Sequence, residues 1–146
     1  MTTLIKGISF SDSRGTLHFV NDFKFESVKR FYTISHPDSS IVRAWQGHKI
    51  ETKHFFVSKG SFLICWVKID NWDKPSENLQ PLHEILRETD PAVLTIPPGH
   101  ANGFKALEPD STLLIFSDLD LEESSKDLIR FDKNHWYQWD KKLPSQ

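Results

Sequence analysis

Short apolar runs, separated by glycine, proline and small polar residues, extend over most of this chain. The runs are rich in Phe, Val, Ile and Thr, and several alternate between apolar and polar positions, which is typical of β-strands. They predict strands at residues 4–10, 16–21, 28–34, 42–46, 53–57, 61–70, 82–87, 92–96, 102–107 and 112–117. Residues 121–129 predict a short helical segment. Roughly nine or ten short strands indicate an all-β sandwich or barrel, whose mouth can hold a small ligand.

Composition narrows the class of protein. The chain has 146 residues, which suits a single domain over residues 1–146 with one core. A formal net charge of −2 gives no electrostatic footprint for nucleic acid, so we expect no nucleic-acid partner. The sequence holds neither 18 consecutive apolar residues nor an apolar leader, so we expect no membrane partner and a cytoplasmic location.

The segment 41–60 concentrates side chains that handle protons or bind anions. It carries Arg43, Gln46, His48 and Lys53 within an apolar, strand-forming frame that ends at Gly60. Because successive side chains of a strand point to opposite faces, Lys53 and His54 are not expected to share a site. This segment is therefore the first candidate for a functional site.

Two segments resemble the motifs of the cupin superfamily, whose fold is a jelly-roll barrel built as a double-stranded β-helix. Gln46, Gly47 and His48 fall where the first motif has H-x-H, Lys53 falls at its glutamate, and Gly60 keeps its glycine. In the second motif, residues 97–99 supply P-x-G and Asn102 stands at the histidine. The resemblance implies a single cupin domain with a short C-terminal helical segment.

The sugar-nucleotide branch of the cupins gives the closer resemblance. Residues 43–49, RAWQGHK, are similar to R-G-F-H-A-H-K of the dTDP-4-keto-6-deoxyglucose 3,4-ketoisomerases. Residues 96–104, IPPGHANGF, resemble I-P-x-G-F-A-H-G-F of the dTDP-4-dehydrorhamnose 3,5-epimerases, and residues 129–132 resemble their I-R-W-N-D segment. The resemblance implies an epimerase or ketoisomerase that acts on a dTDP-4-keto-6-deoxyhexose in deoxysugar or surface-polysaccharide synthesis. It also implies a nucleotide-sugar ligand and a homodimer that exchanges N-terminal strands.

The residue types support these roles. An imidazole can take and return a proton near neutral pH, which makes His48 the candidate catalytic base. Arg43 suits phosphate oxygens, and Lys53 and Asn102 can stabilise a developing enolate. With Gln46 and His100, these residues form the predicted substrate-binding set. One imidazole among the motif positions is too few for a first-row metal, so no metal or other cofactor is expected.

Departures from the branch keep a second interpretation open. Gln46 replaces a catalytic histidine, and Phe116 stands where the epimerases have a tyrosine acid. No carboxylate falls in residues 64–68, the region where the epimerases carry the acid that orients the base. The alternative is a non-catalytic sugar-nucleotide or carbohydrate-binding cupin. The sequence leaves the side of Tyr32 open, and we expect His36 at the surface because it lies at a turn.

Overall fold

The computed structural model describes residues 1–143 and shows a fold built almost entirely of β-strands. The elements are β1 Thr3–Lys6, β2 Ile8–Asp12, β3 Gly15–Phe19, β4 Arg30–His36, β5 Val42–His48, β6 Lys53–Lys59, β7 Ser61–Lys68, β8 Leu82–Arg87, β9 Ala92–Ile96, β10 His100–Ala106, β11 Ser111–Ser117, α1 Leu121–Asp127 and β12 Leu128–Arg130. No helix in this part of the chain has the length and apolarity to cross a membrane.

Two five-stranded antiparallel sheets form the body, and β2 and β3 form a separate hairpin. The first sheet has the order β1-β9-β6-β11-β4, and the second has the order β12-β5-β10-β7-β8. Neighbouring strands are mostly distant in sequence, as in a jelly roll. The predicted all-β jelly-roll barrel with a short C-terminal helix is confirmed.

Two predicted elements are divided differently in the structure. Residues 4–10 form two strands, because the chain breaks at Gly7, where a Cβ would lie 2.0 Å from the carbonyl oxygen of Phe19. The predicted helical segment 121–129 ends at Asp127, because Leu128–Arg130 pairs with the end of β5. Both changes follow from contacts with distant parts of the chain, which local periodicity does not report.

The main core lies between the two sheets. Its fully buried side chains come from both sheets and include Phe55, Leu94 and Leu113 from the first and Phe62 and Ile64 from the second. Each large apolar side chain buried in this way contributes about 1.5–3 kcal/mol of transfer free energy. The core adjoins a cavity that is lined in part by polar side chains.

A second cluster covers the outer side of the second sheet. Trp45, Cys65 and Trp139 are buried in it, and Trp136 and Tyr137 of the C-terminal segment pack against it. The indole nitrogens are satisfied by backbone carbonyls, as in the 2.9 Å bond from Trp45 Nε1 to the residue 135 carbonyl. The segment after β12 therefore belongs to the folded body, and it holds β5 from the outside.

Gly60 shows why the turn between β6 and β7 carries a glycine. Its φ is +74°, a conformation that side-chain-bearing residues rarely adopt, and a Cβ would lie 2.1 Å from Ser111 Oγ. The turn thus carries the chain from β6 in the first sheet to β7 in the second, and it leaves no room for a side chain. The motif glycine in the sequence has this physical basis.

Candidate active site

A cavity of about 210 Å³ opens between the two sheets, beside the turn that joins β5 to β6. Strands β4, β5, β6, β10, β11 and β12 and helix α1 line it. Its polar lining residues are Arg30, Tyr32, Arg43, Gln46, His48, Lys53, Asn102, Ser124, Ser125 and Arg130. Apolar side chains such as Phe55, Phe104 and Ile115 close its floor.

Five residues of the predicted site line this one cavity: Arg43, Gln46, His48, Lys53 and Asn102. They come from three strands that the sequence separates by up to 59 positions but the fold places around one opening. Asn102 is opposite Gln46 in the register of β10 and β5, and the side-chain oxygen of Gln46 is buried with no partner among residues 1–143. The pair offers amide groups to a ligand.

A β-bulge explains how Arg43 and Gln46 share a face although they are three residues apart. Gly103 pairs with Ala44 and Asn102 pairs with Gln46, so Trp45 is the extra residue in β5. Such a bulge reverses the alternation of side chains along a strand. Trp45 turns to the outer cluster instead, where its backbone pairs with Phe131 through two 3.1 Å hydrogen bonds.

His100 does not line the cavity. Its Nδ1 lies 3.0 Å from the carbonyl oxygen of Pro97 and 3.1 Å from that of Pro98, at the start of β10. The ring is thus held by its own turn. We therefore leave His100, which the sequence placed in the binding set, outside the proposed site.

His48 is 4% exposed, and it faces the cavity beside two carboxylates. Its Nδ1 lies 3.1 Å from Glu51 Oε1 and 3.8 Å from Asp127 Oδ2, within the range of an ion pair when the ring carries a proton. Its Nε2 is buried and has no partner within residues 1–143. The ring therefore has a charged partner behind it and one nitrogen free for a ligand.

Glu51 is the carboxylate that the sequence analysis missed. The side chain is 1% exposed and accepts hydrogen bonds from the hydroxyls of Ser117 and Ser124, with Arg30 Nη2 at 3.5 Å. Burial by itself would raise the pKa of Glu51, but the His48 imidazole, the Lys53 charge and the Ser117 hydroxyl lower this pKa to about 2. Glu51 is thus a buried anion that can stabilise a positive charge on His48.

The carboxylate beside His48 thus comes from outside residues 64–68, the region that the resemblance indicated for it. Glu51 lies three positions after His48, across a tight turn. A glutamate between the polar end of one strand and the start of the next was the available signal in the sequence. Its role depends on Ser117 and Ser124, more than 60 residues away, which the sequence did not connect to it.

Tyr32 supplies a phenol to the cavity from β4. Lys53 Nζ donates a 2.7 Å hydrogen bond to its hydroxyl, and the Arg30 guanidinium lies 4.9 Å from its ring centroid. Phe116 points to the outer face, where it packs on Phe23 and Phe25, while its neighbour Ile115 lines the cavity. The cavity therefore contains a phenol even though the residue at the motif position has none.

Cations dominate the lining of the cavity. Arg30, Arg43, Lys53 and Arg130 line it, and no Asp or Glu is among the described lining residues. Glu51 lies behind this lining and compensates Arg30 and His48. Arg43 makes no ion pair with any described residue, so its guanidinium is free for an anion. This excess of positive charge favours a ligand with negative oxygens.

A resident metal ion, which many cupins bind, does not fit the donor set. Ligand atoms of His48, Glu51 and Asp127 lie within 4.8 Å of one another. The oxygens of Asp127 already accept from three backbone amides, and those of Glu51 accept from two hydroxyls beside Arg30. A cation there would break these bonds and meet the positive charge of Arg30.

Comparison with known proteins gives results from solved structures only. No protein-family model matches the chain, and no curated protein sequence matches it. The 3,4-ketoisomerase QdtA from Thermoanaerobacterium thermosaccharolyticum, solved in complex with TDP, is 24% identical, over 89% of this chain and 88% of that chain, with a TM-score of 0.69. A dTDP-4-dehydrorhamnose 3,5-epimerase from Bacillus anthracis, solved with TDP and PPi, is 19% identical, over 98% and 87% of the two chains, with a TM-score of 0.77.

A dTDP sugar isomerase from Desulfovibrio desulfuricans is similar to the same degree. It is 18% identical, over 94% of this chain and 90% of that chain, with a TM-score of 0.75. At these identities the likeness concerns the fold. The structural neighbours are dTDP-sugar 3,5-epimerases and 3,4-ketoisomerases, and the chain has the cupin jelly-roll fold that they share.

Proposed function

We propose that this protein is a metal-independent epimerase or ketoisomerase of a dTDP-4-keto-6-deoxyhexose in deoxysugar or surface-polysaccharide synthesis in the cytoplasm. One observation carries the proposal: His48 Nε2 is unpartnered at a cation-lined cavity, and the buried Glu51 carboxylate lies behind the ring. A proton carrier beside anion-binding groups is what isomerisation of a keto sugar nucleotide requires. The solved neighbours with TDP bound support the same ligand class.

The lining residues divide the chemistry between them. His48 removes the proton from the carbon next to the keto group, and Glu51 stabilises the imidazolium that forms. Lys53 and Asn102 stabilise the negative charge that develops on the keto oxygen. Tyr32 is the proton-exchanging group that acts on the intermediate opposite to His48. Arg43, with the cavity arginines Arg30 and Arg130, binds the diphosphate oxygens.

Solvent deuterium exchange tests this function. The protein is incubated in D₂O with dTDP-4-keto-6-deoxyglucose, and deuterium at the carbons next to the keto group is followed by NMR. We expect incorporation by the wild type and its loss in His48→Asn, which keeps a polar side chain beside Glu51. His83→Asn, a change on the edge strand β8, is the matched control and should incorporate deuterium at the wild-type rate.

A binding-only cupin is the second candidate, and one observation favours it. Gln46, whose amide cannot act as a base, lies in the cavity at the position where the ketoisomerases have a histidine. Under this alternative, dTDP binds in a titration calorimetry experiment but no deuterium enters the sugar. That pair of results would replace the enzyme proposal with the binding one.

The proposal includes a homodimer, and the hairpin of β2 and β3 supports it. On one face, Ile8, Phe10 and Leu17 are more than half exposed. The opposite face is polar, with hydrogen bonds between Ser9 and His18 and between Ser11 and Thr16. A two-stranded hairpin is marginally stable alone, so its apolar face fits a second copy of the chain. Sedimentation should show a dimer, and Phe10→Ser with Leu17→Ser should yield a monomer.

A further inference from the structure

Asp127 ends helix α1 and is buried, with 8% of its surface exposed. Its Oδ1 accepts hydrogen bonds from the backbone amides of Lys49 and Ile50, both at 3.1 Å. Its Oδ2 accepts from the amides of Ile50 at 3.1 Å and Glu51 at 2.9 Å. One carboxylate thus gathers three consecutive amides of the turn that joins β5 to β6.

The proposed catalytic base and the carboxylate beside it lie at the two ends of this turn. His48 is the last residue of β5, and Glu51 follows the turn. Without Asp127, three adjacent amides would lose their acceptor in a part-buried place. Hydrogen bonds from amides to a carboxylate are stronger than those to a neutral oxygen, and successive amides that converge on an anion fix the backbone conformation. The carboxylate therefore sets the distance between His48 and Glu51.

Helix α1 holds the same pair by a second route. Ser124 donates to Glu51 Oε1 and Oε2 at 2.9 and 3.0 Å, and it accepts a 2.8 Å hydrogen bond from Arg30 Nη2. Ser124 and Asp127 lie three residues apart, on one side of the helix. The backbone of the turn and the carboxylate of Glu51 are thus both bound to α1.

We infer that Asp127 is a positioning residue of the proposed reaction: by binding the amides of residues 49–51, it holds the His48 ring against Glu51 and directs Nε2 into the cavity. The inference rests on the proposed function for its kinetic consequence, but the geometry it describes is independent of turnover. Asp127 itself lines no part of the cavity, so it acts through His48 and Glu51.

Asp127→Asn tests the inference, because asparagine keeps the size of the side chain but has one acceptor oxygen. Its NH₂ group would face an amide N–H. We expect the maximal rate of deuterium incorporation to fall about 10- to 100-fold, because a small displacement of a catalytic group has effects of this order. The substrate concentration at half-maximal rate should stay within about twofold, since the diphosphate-binding residues are untouched.

Asp118→Asn is the matched control. Asp118 Oδ1 accepts a 2.8 Å hydrogen bond from the next amide, that of Thr52, and asparagine can keep that single acceptor. The control should retain the wild-type rate. An equal loss of rate in both variants, or a wild-type rate in Asp127→Asn, would overturn the inference.

A second measurement needs no turnover. In ¹H–¹⁵N spectra, the amides of residues 49–51 should shift upfield and exchange faster in Asp127→Asn, and the ring signals of His48 should move, while signals of the β7–β8 strand pair stay in place. If the wild type incorporates no deuterium, the proposed function fails, and these spectra still test the positioning. Unchanged His48 ring signals in Asp127→Asn would then contradict it.

Discussion

Two buried histidines, one at the mouth of the barrel and one in its core, have opposite surroundings. His48 is 4% exposed and lies beside the Glu51 and Asp127 carboxylates. His36 is 2% exposed and packs between Phe62 and Phe104, with ring centroids 5.4 and 6.2 Å away. Neither ring nitrogen of His36 has a partner within residues 1–143. Burial by itself therefore does not identify the histidine that can do chemistry.

The difference lies in what stabilises a proton. At the mouth, the His48 ring lies 3.1 Å from the ionised Glu51 carboxylate and borders the cavity. In the core, burial and the nearby Arg43 charge lower the pKa of His36, which favours the neutral ring. The His36 site thus disfavours a proton, whereas the His48 ring lies beside an anion.

Glu51→Gln should have the largest effect, because it removes the buried anion that compensates Arg30 and His48. We expect deuterium incorporation to fall at least about 100-fold and the free energy of unfolding to drop by about 3–5 kcal/mol, since Arg30 and His48 lose a buried partner. Urea denaturation and the exchange assay measure the two effects. Glu88→Gln keeps the oxygen that accepts from the Gly60 amide and is the control. A fully stable, active Glu51→Gln variant would contradict this account of the mouth.

The same residue gives a pH dependence. The folded pKa of Glu51 is about 2, below the ordinary value of 4.5, so the unfolded chain binds its proton more readily. Its stabilising contribution is complete above about pH 4.5 and is lost as the pH falls toward 2. Unfolding measured between pH 6 and 3 should therefore show a steeper acid loss in the wild type than in Glu51→Gln.

Tyr32→Phe should have an intermediate effect that is limited to chemistry. It removes the hydroxyl that accepts from Lys53 and leaves the ring under Arg30. We expect product formation to fall by about 100-fold, the contribution typical of a general acid or base, with the affinity for dTDP unchanged. Phe116→Tyr, which adds a hydroxyl on the outer face, should not restore the rate. Restoration would show that the phenol of β4 is not the proton-exchanging group.

His36→Phe should have the smallest effect, and one of opposite sign. It replaces an imidazole that has two unpartnered buried nitrogens with a ring of similar shape, so the free energy of unfolding should rise by about 1 kcal/mol. Because the folded pKa of His36 is lowered, the wild type loses stability as the pH falls below about 6.5, and the variant should lose less. Unfolding at pH 7 and pH 5 checks both points. Destabilisation at both pH values would contradict the contrast with the mouth.

Motif spacing was sufficient to bring Arg43, His48, Lys53 and Asn102 to one cavity, whereas strict alternation would have put Arg43 and His48 on opposite faces of β5. Alternation did put Lys53 and His54 on opposite faces, as observed: His54 packs on Phe23 outside, and its Nδ1 lies 2.7 Å from Thr95 Oγ1. Spacing and period are recorded directly in a single sequence, and the bulge at Trp45 is not.

What the sequence could not predict depends on contacts between distant segments. Asp127 contacts its amides across more than 75 residues, and Tyr32 on β4 contacts Lys53 on β6 across the intervening strand β11. The surface location expected for His36 was wrong, because the turn signal at Pro37 begins one residue after the last buried position of β4. Local signals described the backbone there, and tertiary packing decided the exposure.

The tight hold of α1 and the C-terminal segment on β5 also has a consequence for biosynthesis. The turn after β5 is made early, but its carboxylate and the Trp139 that covers the sheet are added some 75 to 90 residues later. While the first 120 residues leave the ribosome, every strand of the first sheet exists and the amides of residues 49–51 still lack Asp127. The nascent chain can thus form the barrel before Asp127 is available to position His48.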